Sequence, residues 1–340
     1  MRPIIIGIAG TAKNTGKTTT TGAIMREIRE DGAGILGLTS IGYDGEDLDN
    51  VTGLPKPKIE VWPGIIVAVA EKCLKVSTAQ LEVLERTNIS TPLGEVLIGR
   101  VKKSGRLLVA GPNKSRELGQ VISLMKNYNC SFIIVDGALN RIAPMVEVDG
   151  IILATGAART TDLEKLALET GIIDEVLKAP VYERDRDAVT MTSVLDLTAA
   201  KELVCNLEKH EQVFIKGIVT SQGLEYLLDE SSLLQGKTLL YADPIKLLLS
   251  MDTNKMAELL DGIKASGLRV GVRKPVKLLA VTINPYYPQF RFTSDDYQAA
   301  YVDKLKLYEM IKTSVAAPVY NVMEQGGREL YKNILKTVGG

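Results

Sequence analysis

Gly10-Thr11-Ala12-Lys13-Asn14-Thr15-Gly16-Lys17-Thr18 stands between two segments of different period. Before it, Ile4 to Ala9 is a continuous apolar run, the pattern of a strand buried on both faces. After it, Thr18 to Asp31 places Ile24, Met25 and Ile28 on one helical face, and Gly32 supplies a stop. Strand, glycine-bearing loop and helix start, in that order, form a cradle for phosphate. Backbone N–H groups wrap the anion and the helix dipole favours its charge. Gly16 permits close backbone approach, and Lys17 would reach the β- and γ-phosphates as a point charge. The Thr18 hydroxyl would ligate Mg²⁺. Thr11, Lys13, Asn14, Thr15 and Thr19 complete the predicted cradle. One departure stands out: the usual spacing puts Gly or Ala six residues before the lysine, where this chain has Thr11, with Gly10 one place earlier.

A nucleotide-bound Mg²⁺ needs a second anchor. Phe132 to Val135 is an apolar run ending in Asp136-Gly137, which predicts a buried strand carrying a metal carboxylate at its end. The plainer reading is an Asp that caps a turn with Gly137; the phosphate loop favours the metal role. Ser40 to Asp47 follows a second short strand, Ile35 to Ser40, and so falls at the carboxyl edge of a parallel sheet, where ligands bind. Asp44 is its candidate for a metal or catalytic role, ahead of Glu46 and Asp47, with a solvated acidic turn as the equal alternative. The predicted catalytic set is thus Lys17, Asp44 and Asp136, and the metal set Thr18, Asp136 and Asp44. Thr155 to Arg159 is a third edge segment, either in reach of the γ-phosphate or an ordinary turn with Thr161 or Asp162 as cap. No Asn/Thr-Lys-x-Asp element is present to read guanine, so ATP is preferred over GTP; Asn284 reads better as a turn residue before Pro285 than as a base contact.

The rest of the chain sets limits. Its 340 residues hold 41 basic and 41 acidic side chains, so no net positive field draws it to nucleic acid or a membrane surface. Three scattered cysteines and one histidine argue against a disulfide framework, a zinc site and His-rich metal catalysis. No membrane span or signal peptide is predicted, which places the protein in the cytoplasm. Short β-like runs between Pro55 and Gly111 predict a β-rich insertion, and Ser115 to Asn127 an amphipathic helix. Later strands are predicted at 213–220, 238–241, 268–272, 278–283 and 318–322, with helices at 163–169, 245–251, 256–265 and 297–313. The fold class is α/β: a mostly parallel P-loop domain over residues 1–200 and a C-terminal α/β domain over 201–340. Cys73, Cys130 and His210 read as packing or surface residues. Of the C-terminal aromatics, Tyr286, Tyr287 and Phe290, in a Pro-bounded loop, are the candidates for partner contacts.

The loop resembles that of dethiobiotin synthetase and its relatives, which carry Gly-Thr, four variable residues, then Gly-Lys-Thr. This is the branch of P-loop proteins that includes the MinD/ParA-type ATPases. Ala12 occupies the place of the signature lysine of that subgroup, with Lys13 beside it, which argues against trans-activation across a dimer. A homodimer is otherwise compatible with the sequence. Leu38 to Glu46 and Asp49 to Pro57, taken with the loop, are similar to the P-loop subunit of the lysine 5,6-aminomutase reactivating factor. The resemblance implies a Mg²⁺-dependent ATPase that releases damaged cobalamin from an adenosylcobalamin-dependent aminomutase, together with a companion subunit. The alternative is an ATP-dependent ligase or kinase acting on a small molecule.

Overall fold

The computed structural model describes residues 2–42, 58–191, 194–207, 209–230, 234–249, 253–291, 294 and 296–338. The first strands are β1 (Ile4–Gly10), β2 (Ile35–Ser40), β3 (Ile59–Val61), β4 (Ile66–Ala70), β5 (Gln80–Thr91), β6 (Gly94–Lys103), β7 (Gly105–Leu107), β8 (Cys130–Ala138) and β9 (Gly150–Gly156). Between them lie the helices α1 (Lys17–Glu30), α2 (Glu71–Lys75), α3 (Ser115–Lys126) and the start of α4 (Leu163–Leu177). β1 runs parallel to two strands far from it in sequence: Ile6 is in register with Ile134 of β8 and with Gly150 of β9. The apolar runs explain this position, since Ile5, Ile6, Ile8 and Ala9 of β1 and Phe132 to Val135 of β8 are all buried. β2 continues the parallel set on the far side of β8, and β4 pairs parallel with β2. The long hairpin β5–β6 then extends the sheet in antiparallel fashion beyond β4, and β3 and β7 form a small ribbon of their own. This is the predicted β-rich insertion.

The chain divides into two compact units, Met1–Ala167 with Leu278–Gly340, and Leu168–Lys277. A boundary at residue 200 is therefore a correction: the last 63 or so residues do not form a separate C-terminal domain. The second unit carries β10 (Val189–Met191), β11 (Gln212–Ile215), β12 (Thr238–Tyr241) and β13 (Arg269–Val272) in one parallel sheet. Its helices include α5 (Leu197–Leu207), α6 (Ser221–Asp229), the short α7 (Ile245–Leu248) and α8 (Thr253–Ser266). Leu203, Leu224, Leu227, Leu239, Tyr241 and Leu259 are buried in its own core. The strand expected at 213–220 stops at Ile215, and the chain turns so that Thr220 caps α6 through its side chain.

After residue 277 the chain returns to the first unit. β14 (Lys277–Asn284) lies beside β9, and β17 (Val319–Tyr320), beyond β14, closes that edge, giving the order β17-β14-β9-β1-β8-β2-β4-β6-β5. Between them β15 (Tyr286–Arg291) and β16 (Asp296–Tyr301) form an antiparallel ribbon. The predicted helix over 297–313 is thus half wrong: α9 begins only at Lys304, capped by the Asp303 side chain. Tyr297, Ala299 and Tyr301 alternate with period 2, and edge-on aromatic pairs, Tyr286–Tyr301 at 5.8 Å and Phe290–Tyr297 at 5.1 Å, hold them as a strand. α9 (Lys304–Ser314), α10 (Val322–Gln325) and α11 (Arg328–Val338) follow. Leu330, Tyr331 and Ile334 of α11 join Ile24, Met25 and Ile28 of α1 in one core, and this burial ties the C-terminal segment to α1. No helix among the described residues is long and apolar enough to cross a membrane.

Candidate functional site

The loop between β1 and α1 is shaped by two residues of positive φ, Asn14 at 63° and Gly16 at 91°. Gly16 is the residue before the first turn of α1, and no side chain caps that end, so the helix start leaves backbone N–H groups for a ligand. Two elements hold the loop in place. From β9, Ala154 O accepts the Thr11 amide at 2.9 Å and the Thr155 hydroxyl accepts that of Thr11 at 3.0 Å. From the end of β14, the Asn284 carboxamide donates to Asn14 O at 2.8 Å and accepts from the Tyr286 amide at 3.2 Å. Asn284 therefore spends both ends of its side chain on bracing, and the close approach is specific: a Cβ on Gly16 would lie 3.3 Å from the Asn284 Cβ.

A cleft of about 320 Å³ opens over the loop. Lys13, Asn14, Thr15, Gly16, Lys17, Thr18 and Thr19 line it. Thr11 does not line it, because its hydroxyl and amide are used on β9; it is a brace of the loop. Thr15 is 1% exposed and its hydroxyl donates to Ala12 O at 2.9 Å, closing the turn. Across the cleft, at the carboxyl end of β8, Asp136 accepts from Lys17 Nζ at 2.6 Å. A weaker contact joins the Thr21 hydroxyl to the other Asp136 oxygen at 3.5 Å. Lysine and carboxylate sit 119 residues apart in sequence, and the parallel pairing of β1 with β8 brings them together.

Thr18 and Asp136 share the cleft, so a hydroxyl and one carboxylate are at hand for Mg²⁺, which is ordinarily held by one or two carboxylates together with phosphate oxygens. Asp44 lies outside the described residues. Residues 155–159 do not line the cleft; Thr155 and Ala157 are bonded instead to Thr11 and Asn284. Sequence reading missed Arg141, which lines the cleft, and singled out Tyr286, which also lines it, for partner contacts instead. Arg141 was within reach of it, since it lies in the turn after β8 at the carboxyl edge where ligands gather.

A second cleft, about 440 Å³, lies on the Gly16–Thr19 side of the loop, with Tyr286, Tyr301, Val302 and Met323 among its walls. Asn321 also lines it, 4% exposed, and its carboxamide oxygen has no hydrogen-bond partner. The cysteines take no part: burial pushes the Cys73 and Cys130 thiols up to about 11, and Cys205 is exposed. The His210 ring is half-buried and meets the Asp187 carbonyl at 3.2 Å. Comparison with family models, with curated proteins and with solved structures gave no match.

Proposed function

We propose that the chain binds a nucleoside triphosphate with Mg²⁺ and hydrolyses it. One observation carries this reading: the 2.6 Å pair between Lys17 of the loop and Asp136 at the end of β8, in a cleft at an open helix N-terminus. In that arrangement the loop amides and Lys17 would hold the phosphates, and Thr18 and Asp136 would hold the metal. Mg²⁺, when bound, would offset the negative charge of the phosphates. The Lys17–Asp136 pair balances both charges, and on binding Lys17 would turn to the phosphates and Asp136 to the metal. The second cleft supports a nucleoside beyond the phosphates, since its volume and aromatic walls suit a small-ligand pocket. ATP remains the preferred nucleotide, for want of a guanine-reading element.

The resemblance of residues 10–18, 38–46 and 49–57 extends the proposal to ATP-driven reactivation of a cobalamin-dependent aminomutase with a companion subunit. A second reading has its own support: Ile59, Leu108 and Val109 give the phosphate cleft an apolar wall that attack by water does not require. That wall suits a small-molecule acceptor, and with it a ligase or kinase.

The test is direct. Lys17→Ala removes one charge-assisted contact of about 1.5–3 kcal/mol, so Mg·ATP affinity by calorimetry should fall about 10- to 150-fold. Unchanged affinity would reject the site. Phosphate release that rises with an aminomutase and companion subunit, and restores mutase turnover, would support reactivation. Release that depends on an added small acceptor would support the second reading.

A further inference from the structure

The cleft has three lining cations among the described residues, Lys13, Lys17 and Arg141, and Arg141 alone is not carried by the phosphate loop. It stands at the end of the 3₁₀ turn Leu139–Arg141, directly after β8, five positions beyond Asp136. Its place is held by a specific approach to β2. Gly42, just past the end of that strand, has φ of 75°, and a Cβ there would come 2.9 Å from Arg141 Nη1 and 3.1 Å from its Cδ. The guanidinium therefore lies against the backbone where β2 leaves the sheet, beside the point at which the Ile41 amide donates to Asp136 O at 2.7 Å. Lys17 and Lys13 both stand on the loop itself, Lys13 on its exposed part. A cation fixed on the β2–β8 side, in the same cleft as the lysine and the carboxylate, is placed for charge that the loop does not meet.

We propose, resting on the nucleotide-hydrolase reading above, that Arg141 is a catalytic residue that contacts the γ-phosphoryl group during its transfer, supplied by the chain itself. In the step, a water oxygen forms a bond to the γ-phosphorus while the bond from that phosphorus to the β–γ bridging oxygen breaks. The electron pair stays on the ADP oxygen, and the water's surplus proton leaves with phosphate or to solvent. Negative charge is spread over the γ-phosphoryl oxygens and the leaving oxygen. A planar guanidinium meets two such oxygens at once, which a lysine cannot do. An arginine in this role contributes about 10³–10⁵ in kcat in comparable enzymes.

The experiment compares the full chain with Arg141→Ala and Arg141→Lys. Mg·ADP affinity is measured by calorimetry, phosphate release from ATP by a continuous assay, and trapping of Mg·ADP by aluminium fluoride, a mimic of the phosphoryl group in flight. Retained Mg·ADP binding also reports that each variant is folded. The expected result is ADP affinity within about threefold of the parent, phosphate release lower by about 10³-fold or more, and no trapping in either variant. Phosphate release and trapping at parental levels in Arg141→Ala would overturn the proposal. So would a loss of ADP affinity matching the loss of turnover, which would make Arg141 a ground-state binding residue. A parent chain that binds Mg·ADP yet neither hydrolyses ATP nor traps aluminium fluoride refutes the arginine's role and leaves the nucleotide site standing. A parent chain that binds no Mg·ADP refutes the nucleotide reading itself.

Discussion

Gly16 shows how much of the site rests on single backbone positions. Its φ of 91° is strained for any residue with a Cβ, and Asn284 packs where that Cβ would go, at 3.3 Å. The same conformation leaves the α1 amides open to a ligand. Gly16→Ala should therefore cost about 1–2 kcal/mol of left-handed backbone strain, and the loop is the part free to relax. The expected outcome is Mg·ADP affinity weaker by about 5- to 30-fold in calorimetry with the thermal unfolding of the whole chain little changed. Equal affinity would mean that the loop does not need this conformation to bind. Asn284 illustrates the converse. A base contact and a turn are both reasonable for an Asn before a proline, yet its carboxamide is committed to Asn14 and Tyr286.

At the scale of elements, the contact between α11 and α1 decides how α1 is seated. Tyr331 is 3% exposed, its ring lies 6.0 Å from that of Phe132, and its hydroxyl donates to Asp31 at 3.0 Å, at the end of α1. Burial first, and then the Asp31 bond, push the Tyr331 hydroxyl up to about 12 from its ordinary 10. The fold thus prefers the neutral phenol. Its contribution is fully present below about pH 10 and is lost as the pH rises through about 12. Tyr331→Phe should lower stability by about 1 kcal/mol at neutral pH, the net worth of a typical hydrogen bond. It should also remove part of the loss seen between pH 10 and 12 when denaturant midpoints are plotted against pH. An alkaline limb identical in both proteins would show that Tyr331 is not the group involved.

Across the whole molecule, one unit interrupts the other in sequence. Residues 168–277 have their own parallel sheet and their own apolar core, in which Leu195, Leu203, Val213, Ile215 and Leu239 are fully buried. A segment so equipped should fold by itself. A fragment Leu163–Lys277, which keeps α4 whole, should give a cooperative thermal transition by circular dichroism. A broad, featureless melt would show that its core depends on the rest of the chain.

The part of the fold that carries the first cleft could be read from local pattern. Ile4 to Ala9, the loop to Thr18 and the stripe Ile24, Met25, Ile28 each specify their own conformation, because buried strands, glycine turns and amphipathic helices are set by neighbouring residues. The apolar run ending in Asp136 likewise announced a strand with a carboxylate at its edge. Adjacency is another matter. A buried parallel strand has the same apolar signature wherever it sits, so nothing in Leu278 to Ile283 says that it joins β9 rather than a second sheet. For the same reason a boundary near 200 was the natural reading, and α11 gave no sign that its partner is α1. The sequence by itself determined the loop, its helix and the apolar strand that ends in Asp136. Only the tertiary structure decided that Lys17 meets Asp136, that Asn284 braces Asn14 and that Arg141 enters the cleft, because those contacts are made by sheet order between segments distant in sequence.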